Sequence, residues 1–255
     1  MPGQLEGKVA LITGGDRNNG CEAALALAKR GADVVITYKE RKDDADMTVG
    51  DLESEGAKAA ALQVDLEGTS QLERLVSEFK EVLSGWDRQD FDILVNNAGI
   101  LRLGTFDQIT EADLDAVYEV NYKSPFLLTQ HLLGSLKDGG RIVNLGSGTA
   151  SIAFAPLVCY GPFKAALQSL TLYLASFLGE RQITVNAVAP GGLDDDFNAP
   201  LFEMMPEARD FIQSNTAVGR VGTPSDIGNV IAFLCTNEAA FISGAILPID
   251  GGYHL

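Results

Sequence analysis

Tyr160 and Lys164 stand four residues apart near the start of a strongly apolar helical stretch, and Ser147 lies thirteen residues before Tyr160, at the end of a strand-like run. Residues four apart share a helix face, so this spacing sets the Lys164 ammonium beside the Tyr160 phenol. A free phenol titrates near about 10, and a neighbouring cation favours its anion, which should bring Tyr160 closer to neutral pH. A hydroxyl tuned in that way can pass a proton to or from a substrate oxygen. Singly, each residue has a plainer reading: a half-buried helix tyrosine, a solvated lysine, a flexible loop serine.

Upstream, Val9-Ala-Leu-Ile-Thr-Gly-Gly-Asp-Arg-Asn-Asn-Gly20 runs from a strand through a turn into a helix expected over Cys21–Arg30. Backbone N–H groups at such a helix start point at a bound pyrophosphate, helped by the helix dipole. The strict G-x-G-x-x-G spacing is absent. Gly14 and Gly20 are present, but Asn18 stands where a middle glycine is expected. Asparagine is among the few residues that tolerate a positive φ, so the loop can survive the change. A tight turn with no ligand is the alternative.

Strand-like and helix-like segments alternate along the whole chain. Val9–Thr13, Asp33–Tyr38, Ala59–Asp65, Asp92–Asn97, Arg141–Leu145, Ile183–Ala189 and Ala245–Ile249 read as short buried strands, β-branched or nearly continuous apolar runs. Between them Ser70-x-x-Glu73 and Thr110-x-x-Asp113 resemble capping boxes, and Thr223-Pro224-Ser225-Asp226 puts proline at the first helical position. The helix carrying Tyr160 shows a stripe of Phe163, Leu167, Leu170, Leu174 and Phe177, with Gly179 as a stop. Alternation of this kind implies an α/β fold: a single domain with one parallel, doubly wound sheet of seven strands and helices on both faces. Gly191–Gly219 lacks clear periodicity and falls after the sixth strand, where such a sheet places its ligand crevice. With its aspartates, prolines and burial-seeking Phe197, Phe202, Met204, Met205 and Phe211, it is expected to be a lid, or else a permanently packed excursion.

A formal charge of −16 argues against nucleic acid and against an anionic membrane surface. No charge-poor apolar run reaches the roughly 18–20 residues of a membrane span, and Met1–Gly7 lacks the apolar core of a signal peptide. Cys21, Cys159 and Cys235 are widely spaced without a metal-ligand pattern and read as reduced thiols in a cytoplasmic setting. His131 and His254 are the only histidines, so no multi-histidine metal site is expected.

Thr13-Gly14-x-x-x-Asn18-x-Gly20, Asn96-Asn97-Ala98-Gly99, Asn121, Ser147, Tyr160-x-x-x-Lys164 and Pro190-Gly191 together resemble the short-chain dehydrogenase/reductase family. The closing Arg220-Val-Gly-Thr-Pro-Ser-Asp and Asp250-Gly-Gly are similar to its C-terminal signature, so the resemblance spans essentially the whole chain. Within the family the chain looks most like 3-oxoacyl-thioester and general carbonyl reductases. The resemblance implies a Rossmann-type sheet, a homotetramer, and hydride transfer between a nicotinamide and a carbonyl or carbinol carbon. Tyr160 is then the proton donor, Ser147 a donor to the substrate oxygen, Lys164 the residue that lowers the tyrosine pKa and binds the nicotinamide ribose, and Asn121 the holder of a water between Lys164 and solvent. It implies cofactor contacts from Gly14, Asp16, Arg17, Asn18, Asn19 and Gly20. Asp65 would meet the adenine amino group with the Leu66 N–H beside it, and Asn96 the ribose, near Ala98 and Gly99. Pro190, Gly191 and Leu193 complete the nicotinamide end.

An acidic residue after the second strand would bind the ribose 2′-hydroxyl of NAD, whereas nearby cations accommodate a 2′-phosphate. Here Tyr38 takes that position, Lys39, Arg41 and Lys42 follow, and Arg17 adds a cation from the phosphate loop. NADPH is therefore the expected cofactor and a ketone or 3-oxoacyl compound the expected substrate, although Glu40 speaks for NAD. The alternatives are an NAD-dependent alcohol dehydrogenase and a non-catalytic dinucleotide-binding subunit. Two residues depart from the family pattern. Where a threonine usually meets the nicotinamide carboxamide, this chain has Asp195 within Asp194-Asp195-Asp196. At least two of these three are expected to cap a short helix. Pro162 lies between Tyr160 and Lys164, in a first turn where its missing N–H costs little.

Overall fold

The structure, a computed structural model, describes residues 3–253 and 255; His254 lies outside them. Its strands are β1 (Val9–Ile12), β2 (Asp33–Tyr38), β3 (Ala59–Gln63), β4 (Phe91–Asn96), β5 (Leu136–Leu145), β6 (Thr184–Pro190) and β7 (Ile246–Ile249). All pair in parallel, in the order β3-β2-β1-β4-β5-β6-β7. The helices are α1 (Asn18–Ala28), α2 (Lys42–Ser54), α3 (Leu72–Gly85), α4 (Glu111–Tyr118), α5 (Ser124–Leu132), α6 (Gly161–Leu178), α7 (Ala199–Met204), α8 (Ala208–Ser214) and α9 (Pro224–Leu234).

Successive strand residues point to opposite faces, which explains the unbroken apolar runs. Ala10, Ile12, Val34 and Ile36 pack under α1, α2 and α9, against Ala23, Leu27, Leu52 and Ile231. Val9, Leu11, Val35 and Leu94 face the other way, toward Leu75 and Phe79 of α3, Leu128 of α5 and Leu178 of α6. The interior strands are exposed only at their ends, as at Lys137–Gly139 of β5, whereas the edge strands β3 and β7 are half-covered along their length, having a neighbour on one side alone.

Two capping boxes form. Thr110 and Asp113 exchange side-chain and backbone bonds at the start of α4, and Thr223 and Asp226 do so at α9, behind Pro224. The third does not: a 3₁₀ turn, Thr69–Gln71, precedes α3, and Gln71 rather than Ser70 is engaged, accepting from the Asp65 N–H. α1 begins at Asn18, three residues earlier than expected. The buried stripe of α6 is rotated from the expected one, running through Lys164, Leu167, Thr171 and Leu178, while Phe177 is 72% exposed.

Between α4 and α5 the chain makes one wide π turn, Glu119–Lys123. Pro125 has no N–H to bond the carbonyl four residues back, that of Asn121, so the helix widens there instead of continuing as α. A polar ladder crosses the second face of the sheet. Asn96 Nδ2 donates to Asn144 Oδ1 at 2.9 Å and to Thr129 Oγ1 at 3.1 Å, and Asn144 Nδ2 donates to Thr171 Oγ1 at 2.9 Å.

Candidate active site

The strand order reverses direction between β1 and β4, and a cleft of about 600 Å³ opens along the carboxyl ends of the strands there. Turns after all seven strands line it, from Gly14 after β1 to Asp250 after β7.

The loop after β1 is stapled to the turn after β4. Thr13 Oγ1 accepts from the N–H groups of Asn97 and Ala98 at 3.0 and 3.1 Å, and Asn97 Nδ2 donates to the carbonyls of Thr13 and Gly14 at 2.9 and 2.8 Å. Asn18 adopts φ 48°, the left-handed conformation anticipated for it. Gly20 lies so close under the loop that a Cβ would sit 2.0 Å from the Gly14 carbonyl oxygen. Its role is to let α1 approach, and it does not itself line the cleft. Asp16, Arg17, Asn18 and Asn19 do, and Asn19 Oδ1 is buried without a hydrogen-bond partner. The free N–H groups at the start of α1, with the Arg17 guanidinium beside them, suit a pyrophosphate.

At the far end of the cradle lie Tyr38, Lys39, Arg41, Asp65 and Leu66. Each cation has a carboxylate neighbour: Lys39 with Asp65 at 3.0 Å and Glu67 at 3.4 Å, Arg41 with Asp44 at 3.2 Å, and Arg17 with Asp196 at 3.6 Å. These pairs are partly exposed and so weak that an incoming phosphate can replace them. The Asp65 carboxylate is shared with Lys39 and with the Glu67 N–H.

Tyr160 sits just before α6, on a short approach bonded through Leu157, and Pro162 occupies the first turn as expected. The Ser147 hydroxyl lies within hydrogen-bond reach of the Tyr160 phenol. Ser147 is itself held by Thr149, whose hydroxyl lies 2.8 Å away and whose N–H donates to it at 3.2 Å. Lys164 is almost completely buried; its Nζ donates to the Leu145 carbonyl at 2.7 Å and lies 5.5 Å from the Tyr160 ring centroid. Asn121, in the π turn, is fully buried behind Gly99, its amide donating to the carbonyls of Val117 and Ile100. A Cβ on Gly99 would come within 2.7 Å of Asn121 Oδ1 and 3.4 Å of Lys164 Nζ, so only glycine lets these two groups stand together here.

The electrostatics differ from the spacing argument. Burial pushes the Tyr160 phenol well above its ordinary range, opposed by the Ser147 hydrogen bond and reinforced by the Asp195 charge. Burial likewise brings Lys164 down to about 7. Desolvation of both groups outweighs the effect of placing a cation near a phenol.

Ser147, Tyr160 and Lys164 share the cleft with Ala98, Gly99, Pro190, Gly191 and Leu193. Asn96 does not line it. Its amide nitrogen is spent in the polar ladder, and the next residue, Asn97, faces the cleft, because neighbours along an extended chain point to opposite sides. Asn97, part of the Asn96-Asn97-Ala98-Gly99 motif, and Thr149 are structural struts to which the sequence reading gives no role; the signal for Thr149 is a second hydroxyl two residues past Ser147. Phe154, Leu157, Phe197, Leu201, Phe202 and Met205 form an apolar wall, whereas Met204 turns outward and is half-exposed.

Residues 191–219 are more ordered than their composition suggests, holding α7, α8 and an isolated bridge from Leu193 to Gly222. The three aspartates have three different partners. Asp194 pairs with Arg209 of α8, Asp196 with Arg17, and only Asp195 caps a turn, accepting from the Asn198 N–H at 2.9 Å and its side-chain amide at 2.7 Å. Capping by two of the three is therefore not found, because two long arginines reach the outer carboxylates first.

Residues 16–254 match the family model described as enoyl-(acyl carrier protein) reductase. The hydroxynaphthalene reductase-like protein Arp2 of Metarhizium brunneum is 35% identical, over 98% of this chain and 96% of its own. Versicolorin reductase of Emericella nidulans is 34% identical over 98% of this chain and 96% of its own. Among solved structures, that of the angucycline C-6 ketoreductase LanV with bound NADP superposes with a TM-score of 0.93 at 36% identity, covering 99% of this chain and 97% of that one.

Proposed function

Since the chain belongs to the short-chain dehydrogenase/reductase family, we propose that it is an NADPH-dependent carbonyl reductase whose substrate is an uncharged ring ketone. The observation that carries this reading is the convergence of the Tyr160 and Ser147 hydroxyls where the dinucleotide cradle meets the apolar wall. Bound NADPH would supply a hydride to the carbonyl carbon. Negative charge then grows on the carbonyl oxygen, and two hydroxyl donors aimed at one point stabilise it. Tyr160 delivers its proton to that oxygen, while Ser147, fixed by Thr149, donates a hydrogen bond and orients it. Lys164 would meet the ribose hydroxyls at the nicotinamide end, and Asn121 behind it would hold a water on the route by which a proton returns. The phosphate-loop N–H groups would hold the pyrophosphate, and Arg17, Lys39 and Arg41 would receive the 2′-phosphate.

The substrate class follows from the cleft. Its wall of Phe154, Leu157, Phe197, Leu201 and Phe202 suits a flat, fused-ring compound, in keeping with the hydroxynaphthalene and angucycline named for its relatives. Asp195, Glu207 and Asp250 on the same cleft oppose a thioester carried on an anionic phosphopantetheine arm. Oxidation of NADPH followed at 340 nm should proceed with 1-tetralone and with fused-ring diketones, faster than with NADH and faster than with acyl thioesters. Turnover confined to acyl thioesters would overturn this substrate class.

Residues 191–219 form the lid of this site, with the apolar faces of α7 and α8 turned to the cleft and Arg209 tied to Asp194. Trypsin reaches the Arg209 bond only when that segment opens. Cleavage there is expected to be fast in the protein alone and slowed at least about fivefold by saturating NADPH, as opening becomes rarer. Equal rates would mean that the segment is a fixed part of the core.

Two separate apolar faces favour a homotetramer. Tyr118, Phe126, Tyr173 and Phe177 stand out from α4, α5 and α6, and Phe241 and Ile246 from the β7 edge. Two such faces give two two-fold axes. Light scattering at micromolar concentration should return four times the 27.1 kDa chain mass, and a monomeric mass rejects the assembly. Three free cysteines, two of them buried, fit work in a reducing, cytoplasmic compartment.

A further inference from the structure

Two residues past β5, Ser147 caps the 3₁₀ turn Gly148–Ala150 and is gripped at both its carbonyl and its hydroxyl. The carbonyl accepts from Gln168 Nε2 at 2.9 Å and from the Ala150 N–H at 3.2 Å. The hydroxyl oxygen accepts from the Thr149 N–H at 3.2 Å and stands 2.8 Å from Thr149 Oγ1. Thr149 is itself packed against the start of α6. A Cβ on Gly161, the residue after Tyr160, would come within 2.8 Å of the Thr149 carbonyl oxygen and 3.7 Å of its Cβ. Among the described residues the Thr149 hydroxyl has Ser147 as its one hydrogen-bond partner.

We propose that Thr149 is a positioning residue for the proton on Ser147: its hydroxyl donates to Ser147 Oγ and so leaves the Ser147 O–H free for the substrate oxygen. The proposal rests on the reductase reading, in which Ser147 and Tyr160 both donate to that oxygen. A serine hydroxyl has one proton and two lone pairs. The Thr149 N–H fills one lone pair and the Thr149 O–H fills the other, so Ser147 can then only donate. The reverse arrangement, Ser147 donating to Thr149, would spend the one proton that the growing negative charge requires. It would also leave a lone pair on Ser147 open to the nearby Tyr160 phenol, drawing the tyrosine proton away from the substrate.

With both lone pairs filled, Ser147 donates to the phenol oxygen at rest and to the carbonyl oxygen when one arrives. In reduction the Tyr160 O–H bond breaks and its proton passes to the former carbonyl oxygen. The Ser147 O–H stays intact throughout. Threonine suits the task because its β-branch restricts χ1, so the hydroxyl is held on the same side as the residue's own N–H.

Thr149→Val keeps the shape and the N–H and removes only the O–H. With 1-tetralone it should lower kcat about tenfold, the size of one neutral hydrogen bond, while NADPH affinity, read by fluorescence quenching, moves less than about twofold. Thr149→Ser, which returns the hydroxyl, should restore most of the rate. Added to Ser147→Ala, Thr149→Val should cost no more than about twofold further, because the residue it acts through is gone. If thermal melting shows the valine variant unfolded, Thr149→Ala replaces it in the same cycle. An unchanged kcat overturns the proposal, as does a loss of about tenfold in the Ser147→Ala background, which would mean that Thr149 shapes the pocket alone. Neutron diffraction from deuterium-exchanged crystals of the wild type decides the same point without substrate. The Thr149 hydroxyl deuterium should lie on the line to Ser147 Oγ; a Ser147 deuterium on that line instead overturns the proposal. Absence of turnover by the wild type with every ketone would count against the reductase reading, and the neutron density would still decide which hydroxyl donates.

Discussion

Tyr160→Phe is expected to lower kcat for ketone reduction by at least about a hundredfold, the loss typical of removing a general acid. The substitution deletes one oxygen from a ring that is already buried, so the packing against Phe197 and the start of α6 should persist. Ser147 keeps its bonds to Thr149 and its place in the turn after β5. NADPH binding, measured by quenching of its fluorescence, should therefore change by less than about twofold, since the phenol contributes little to a cradle built from backbone N–H groups and cations. A variant with near-normal kcat would show that another group supplies the proton.

The second large effect is on cofactor choice. Arg17→Ala is expected to raise KM for NADPH by about ten- to a hundredfold, the range for losing one charge-assisted hydrogen bond worth about 1.5–3 kcal/mol. NADH carries no 2′-phosphate, so its KM should move by less than about twofold. Lys39 and Arg41 remain beside the same end of the cleft, which is why NADPH binding should weaken without vanishing. Comparable losses for both cofactors would mean that Arg17 shapes the loop, through its link to Asp196, and does not read the phosphate.

Much of this was legible before any coordinates. Seven strands, their parallel arrangement and the position of the crevice follow from alternation of apolar runs with helical stripes, because a sheet buried on both faces leaves that mark. The Tyr160, Lys164 and Ser147 group was legible because it depends on spacing within local elements. Asn18 was legible for a backbone reason, its tolerance of a left-handed φ. What escaped were properties decided by the surroundings. Which of Asn96 and Asn97 enters the cleft turns on where β4 ends, a boundary uncertain by a residue. The direction of the Tyr160 shift depends on how deeply α6 is covered, which no spacing reveals. The partners of Asp194 and Asp196 come from α8 and the phosphate loop, far away in sequence. Ser70 could form a box on paper, yet the turn at Thr69–Gln71 moved the helix start past it.

The ladder of Asn96, Asn144, Thr129 and Thr171 bears on how accurately the chain can assemble itself. A slip of one position between β4 and β5 would turn one asparagine to the opposite, largely apolar side of the sheet, separating the amides from their partners at a cost of several kcal/mol. Apolar side chains alone would forgive such an error, since valine and isoleucine pack nearly as well one step along. The ladder therefore works as an alignment mark for the two central strands. Asn97 and Ser147 follow it by one and three residues, so the height at which they emerge is set deep in the interior, before either meets a ligand.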